Sequence, residues 1–176
     1  MGGTKKLSEK QQRSLYNSQL VEFRRRYGKK LGGDRRAELV LVENGNEELM
    51  GVAAVEVELV PEKSLTSTAK TRAPLMSNVA VSRKWRRRGI GEVLVKEIER
   101  MVRIEWGYDD IFLYVEQRNK PAIKLYQKMG YNPYWIDKNA KTLVPTTDGS
   151  MQNEPTTLVC MKKRLNKRVR MDLPVI

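Results

Sequence analysis

Two spacings of apolar residues alternate along this chain, and the points where one gives way to the other outline its elements. Residues 8 to about 30 read as a helix, with Leu15, Leu20, Phe23 and Tyr27 able to share one face among arginines and glutamines. Gly32-Gly33-Asp34 ends that segment. "AELVLVENGNEELMGVAAVEVELV" then reads as a β-hairpin whose two apolar strands flank the turn Asn44-Gly45-Asn46. Its second strand puts Val55, Val57 and Leu59 on one face and Glu56 and Glu58 on the other. A polar surface loop is expected between Pro61 and Pro74, and a strand over residues 75 to 82.

From Ile90 the helical period is clear. Ile90, Val93, Leu94, Ile98, Met101 and Val102 form one stripe, which reads as core, and Gly107 closes the helix. "IFLYV", residues 111 to 115, is the next strand. Asn119 is placed to cap a following helix, with Pro121 in its first turn, Leu125, Tyr126 and Met129 at helical spacing, and Gly130 just past its end. A short strand around Tyr131 to Ile136, a long polar loop and a strand from Thr157 to Met161 complete the pattern. Strands and helices alternate through the middle of the chain, so the class is α/β with a mixed sheet. The expected organisation is one domain over residues 1–165 and a basic tail over 166–176.

Composition narrows the chemistry. The chain has 176 residues and no histidine, which removes the commonest general base and the commonest metal ligand. Acid–base work falls to Glu, Asp, Tyr, Lys or water, and no metal is called for. The one cysteine, Cys160 in "TTLVCMKKRL", reads as a buried strand residue and fits a reducing, intracellular compartment. No apolar run approaches the ~20 residues of a membrane helix, so no membrane partner is expected. The start, "MGGTKKLSEK", is too polar for a secretory signal, and Lys6 stands where a myristoylation motif has Ser or Thr. A net charge of +13 points to anionic partners: phosphates, an acidic surface or nucleic acid.

The densest charge lies in "SRKWRRRGIGEVL", residues 82 to 94. A strand, a turn with two glycines and a helix make a phosphate cradle. The first helical N–H groups are free and carry partial positive charge, and glycine admits a close approach. Arginines beside it add charge-assisted contacts. Two familiar phosphate motifs do not fit. Gly91 is followed by Glu92 rather than by the Lys-Ser/Thr of a P-loop, and no third glycine follows at dinucleotide-fold spacing.

"NVAVSRKWRRRGIG" resembles the signature of the GNAT superfamily of acyl-CoA-dependent N-acetyltransferases: Gln/Arg-x-x-Gly-x-Gly/Ala after a strand. "LYVEQRNKPAIKLYQKMGY" resembles the later strand and helix of the same family, at its usual separation. Together the two blocks cover about Leu75 to Tyr131. The resemblance implies a GNAT fold, a mixed central sheet with splayed strands flanked by helices. It implies acetyl-CoA as co-substrate, bound at Val79, Ala80 and Val81 through their backbone, at Arg87, Arg88, Gly89, Ile90, Gly91 and Glu92 through N–H groups, and at Asn119. Tyr126 would protonate the departing thiolate, and a backbone N–H of the splayed strand, such as that of Val79, would face the developing oxyanion.

The base is left open. The positions where family members carry a glutamate are Leu75 and Tyr114 here; Glu116, which shares a strand face with Tyr114, is one candidate, and Glu56, Glu58 and a water chain are others. The family usually begins with a strand before its first helices, whereas this chain begins within the helices. The segment 137–155 corresponds to the region that helps shape the acceptor site. The pattern is most similar to protein N-acetyltransferases, including plastid and ribosomal-protein types. The acceptor it implies is a protein α-amine or lysine, in the cytoplasm or plastid stroma. Small-molecule amines, and a non-catalytic module on RNA, ribosomes or another anionic surface, stay as alternatives.

Overall fold

Six strands form one sheet in the order β1-β2-β3-β4-β6-β5 in the computed structural model, which describes residues 8–10, 13, 17, 21, 36–46, 48–62, 70–146 and 151–165. They are β1 (Ala37–Glu43), β2 (Leu49–Pro61), β3 (Lys70–Val81), β4 (Asp110–Glu116), β5 (Asn132–Pro145) and β6 (Met151–Arg164). Two helices, α1 (Ile90–Ile104) and α2 (Lys120–Lys128), follow β3 and β4. Every ladder is antiparallel except β3 with β4. Parallel neighbours need a crossover, and α1 supplies it. The sheet is therefore mixed, as the alternating periods imply.

The helix stripe packs as expected, with one exception. Leu94, Ile98, Met101 and Val102 are buried, joined by Val95, and Val93 is 52% exposed at the rim. Burying a side chain of this kind stabilises by about 1.5–3 kcal/mol as an upper bound. On the helix face these residues meet Val55, Met76, Leu113, Val115, Val159 and Met161, with Tyr126 and Tyr131 closing the cluster beside α2. The opposite face carries a smaller cluster of Val60, Ala73, Phe112 and Cys160, with Leu75, Tyr114 and Tyr134 against it. Cys160 is fully buried, and burial pushes its thiol up to about 11, so it packs as a strand residue and is not a ready nucleophile.

Two expectations change, and β2 adds a finding of its own. The loop after Pro61 is shorter than its composition suggests, because β3 begins at Lys70, which pairs with Pro61. The alternation of β2 holds, and burial does not follow polarity along it: Glu56 is 1% exposed and Leu59 56% exposed. Within the polar stretch 137–155, the described residues are mostly strand rather than loop. β5 runs to Pro145 and pairs with β6 from Ala140↔Thr156 to Pro145↔Met151. Polar residues are mixed through both strands of that ladder, so no continuous apolar face announces it. Positions 9, 10, 13, 17 and 21 are helical. Leu15, Leu20, Phe23, Tyr27 and the basic tail lie outside the described residues.

Candidate functional site

The site begins with a ladder that stops. β3 and β4 are paired only at Leu75↔Phe112 and Met76↔Leu113. Beyond them the strands part. The cause lies in β3, whose register against β2 slips from Ala54↔Ser77 to Val52↔Ala80. Three steps on β3 face two on β2, which is a bulge. Asn78 sits in it with φ 53°, in the left-handed region that asparagine tolerates better than most residues. Val79 has no registered partner on either neighbour. Sequence reading took "SNVAV" as regular strand. The available signal was an asparagine, a residue depleted in strands and enriched at left-handed positions, in the middle of an apolar run.

At the open end of β3 the chain makes a 3-10 turn, Arg83–Trp85, and then the glycine turn into α1. Gly89 is the N-cap with φ 82°, and an added Cβ there would meet open space. Gly91 is constrained differently: a Cβ would lie 3.2 Å from Leu125 and 3.9 Å from Val81. The first turn of α1 thus closes on α2 and on the end of β3. Among the described residues the amides of Arg87, Arg88, Gly89, Ile90 and Gly91 donate to no backbone carbonyl outside regular elements. Glu92 differs from the expectation: its amide donates to the Gly89 carbonyl at 2.9 Å, and its carboxylate pairs with Lys128 of α2. The run of free amides therefore ends at Gly91, and Glu92 fastens the two helices together.

The three arginines are not equivalent. Arg86 turns back to donate from Nε to the Val81 carbonyl at 3.1 Å. Arg87 has φ 63°. Arg88 lies over the Trp85 ring, 4.9 Å from its centroid, and Lys84 lies 5.4 Å from the same centroid. Lys84 also bonds both carboxylate oxygens of Glu48 at 3.0 Å, tying the turn to the β1–β2 connection. That tie holds the Glu48 carboxyl below the usual range, with Lys84 the chief cause. No sequence signal pointed to Glu48, because the contact spans 36 residues.

α2 brings up the second group. Asn119 is its N-cap, and its Oδ1 accepts from the Ala122 amide at 3.3 Å, as the sequence implies. Tyr126 is buried, with its ring edge-to-face on Tyr131 at 5.8 Å between centroids. Burial pushes its phenol up to about 12, so it stays protonated at neutral pH. Glu116 ends β4 on the opposite face of the sheet, in the row with Tyr114 and Phe112. The Arg118 guanidinium, bonded through Nε, holds its carboxyl below the usual range, with Thr142 assisting. The register of the parallel pair, carried forward, brings Glu116 level with the Val79 region across the opening. Glu56 lies on that face too, but beside Leu75, where β3 and β4 are still joined.

A fissure between two parallel strands, free amides at its mouth and a protonated phenol on the helix beside it are what a long phosphorylated thioester arm needs. The unpaired strand edge can bond the arm, the amides the phosphates, and the phenol the sulfur end. The residues present fit acetyl-CoA in this sense.

Comparison with known proteins bears on the family and the fold. Residues 5–131 match the family described as "Acetyltransferase (GNAT) family". "GCN5-related N-acetyltransferase 4, chloroplastic" of Arabidopsis thaliana is 30% identical over 99 residues, which are 55% of this chain and 34% of that protein. The chain thus spans about a third of the length of this curated relative. The crystal structure of the ribosomal-protein-S18-alanine N-acetyltransferase from Escherichia coli shares 19% identity at a TM-score of 0.54, covering 96% of each chain. A GNAT family acetyltransferase from Elizabethkingia anophelis with acetyl-CoA bound shares 17% identity at a TM-score of 0.55, covering 93% of this chain and 95% of its own. At such identities the two structures speak for the fold.

Proposed function

The chain belongs to the GNAT acetyltransferase family, and from that premise we propose that it transfers an acetyl group from acetyl-CoA to a primary amine of a protein. The observation that carries the proposal is the opening between β3 and β4 beside the free amides of Arg87 to Gly91.

Acetyl-CoA supplies the activated acyl group: a C–N bond forms to the amine and the C–S bond breaks. The chain's own part is positional and protic. Backbone groups of Val79, Ala80 and Val81 hold the arm as an added strand would. The amides of Arg87, Arg88, Gly89, Ile90 and Gly91 face the phosphates at the N-terminus of α1. The unregistered Val79 amide faces the carbonyl oxygen as charge grows there. Asn119, whose Oδ1 is committed to Ala122, offers its amide Nδ2 to the arm. Tyr126, protonated throughout the neutral range, gives the thiolate its proton. The amine enters from the face opposite the helices, and Glu116, ionised there, takes the amine proton directly or through water. Most of the rate comes from holding amine and thioester together.

A protein acceptor is supported by the excess of positive charge, which disfavours polyamines. The chloroplast setting in the curated relative's name supports a plastid stroma as the working place over the cytoplasm. The test is mass spectrometry on a peptide pool with acetyl-CoA, once with lysines blocked and once with N-termini blocked. Label on α-amines or lysines is the expected result and tells which amine is used. No label on either, with CoA still bound, would move the acceptor to small molecules.

A further inference from the structure

We propose, building on the acetyl-transfer reading above, that a hollow beside Glu116 binds an acidic side chain of the acceptor, so that the protein favours amines followed by Asp or Glu. The hollow arises where β4 and β6 part. Their ladder ends at Glu116↔Leu158, and Gln117 makes one last bond to the Thr157 carbonyl at 2.9 Å. β4 then turns into α2, while β6 extends back to Met151 paired with β5 alone. A register shift between Asp137 and Ala140 bends β5 at the same level. The result is a cavity of about 330 Å³ lined by Gln117, Arg118, Lys138, Pro155, Thr156 and Thr157.

Its lining is a set of donors. Two cations, one side-chain amide and two hydroxyls surround a proline, and no carboxylate among the described residues lines it. The carboxylates near it leave Lys138 as the charge on offer, because two of them are spent on the lining Arg118. Glu116 and Glu154 both act on Arg118, the first through a hydrogen bond, and Asp137 accepts from the Asn139 amide. Lys138 has no ion pair among the described residues. An uncompensated ammonium beside a guanidinium attracts a carboxylate and repels a cation.

Position gives the register of the acceptor. Gln117 and Arg118 follow directly on Glu116, which is level with the opening between β3 and β4. One or two residues of backbone cover roughly 4–7 Å, the spacing of neighbouring side chains on an acceptor chain whose amine reaches the opening. A small free amine would leave this hollow unused.

The test is kinetic. Peptides identical except for Asp, Asn or Lys after the reacting residue are compared by kcat/KM with the wild-type chain, Lys138→Glu and Arg118→Gln. The Asp:Lys ratio is internal to each preparation, so loss of folded protein divides out of it. Wild type is expected to favour Asp over Lys by about tenfold or more, and Lys138→Glu to bring the ratio to one or invert it. Equal use of the peptides by wild type, or a ratio unmoved in Lys138→Glu, overturns the proposal. Absence of acetylation on every peptide overturns it as well. Calorimetry with acetyl-CoA then separates the two readings: retained binding leaves acetyl transfer standing with a different acceptor, and no binding removes both.

Discussion

β4 has two edges, and they behave differently. Against β6 it is paired along its whole length, from Asp110↔Arg164 to Glu116↔Leu158. Against β3 it is joined at two positions and then released. Both edges draw on the same apolar side chains, so hydrophobicity does not distinguish them. The difference comes from one bulge, at Asn78, and from the glycine turn that follows the freed strand. A closed ladder contributes stability. An interrupted one leaves backbone groups for a ligand, since buried amides and carbonyls require partners. On the function proposed above, the working part of this fold is a pairing it declines to make.

Mutations on the two edges should therefore fail in different ways. The largest effect is expected from Gly91→Glu, on the open side. Its Cβ would press on Leu125 at 3.2 Å, and its charge would face the phosphates. Calorimetry should show acetyl-CoA binding abolished, while the thermal transition shows whether the fold survives. Next is Tyr126→Phe, which keeps the ring on Tyr131 and removes the proton. Turnover should fall about a hundredfold with little change in acetyl-CoA affinity. Unchanged turnover would remove Tyr126 as the acid. Asn78→Val places a β-branched residue at φ 53° and should lower kcat/KM by about tenfold to a hundredfold through a misplaced strand. Asn78→Gly should stay close to wild type, and equal damage from both would mean that the side chain rather than the backbone matters.

The pH profile sharpens the same comparison. Glu116 has a depressed pKa, so its basic form is lost only as pH falls through a value below the usual carboxylate range. Tyr126 is raised, so its acidic form is lost only as pH rises through about 12. With no histidine in the chain, kcat/KM between these limits should follow the acceptor. Half-maximal rate near ~8 is expected for an α-amine and near ~10.4 for a lysine. The smallest effect on catalysis is expected from the closed side. Met161→Ala, at a fully buried position of β6, should cost about 2–5 kcal/mol in denaturant titration yet leave the folded fraction active.

What could be read from the sequence follows from how local each feature is. The strand, glycine turn and helix from Val79 to Val102 are specified by neighbours in the chain, and so are the Asn119 cap and the place of Tyr126 on its helix. The bulge has only the asparagine in its apolar run as a local sign, because pairing with β2 decides that Asn78 takes a left-handed conformation. The burial of Glu56 and the tie from Glu48 to Lys84 depend on partners distant in sequence. The β5–β6 arm beyond Ile136 has polar residues on both faces, so periodicity could not reveal it. The arginine run was legible as charge, but not as three separate tasks for Arg86, Arg87 and Arg88.

The most direct measurement is the set of backbone amide shifts on titrating the isotope-labelled chain with acetyl-CoA. Val79, Ala80, Val81, Gly89, Ile90 and Gly91 should move together and saturably, while Val159, Cys160 and Met161 on the closed edge stay still. Shifts confined to other surfaces, or none at all at millimolar ligand, would contradict the reading of the β3–β4 opening as the acetyl-CoA site.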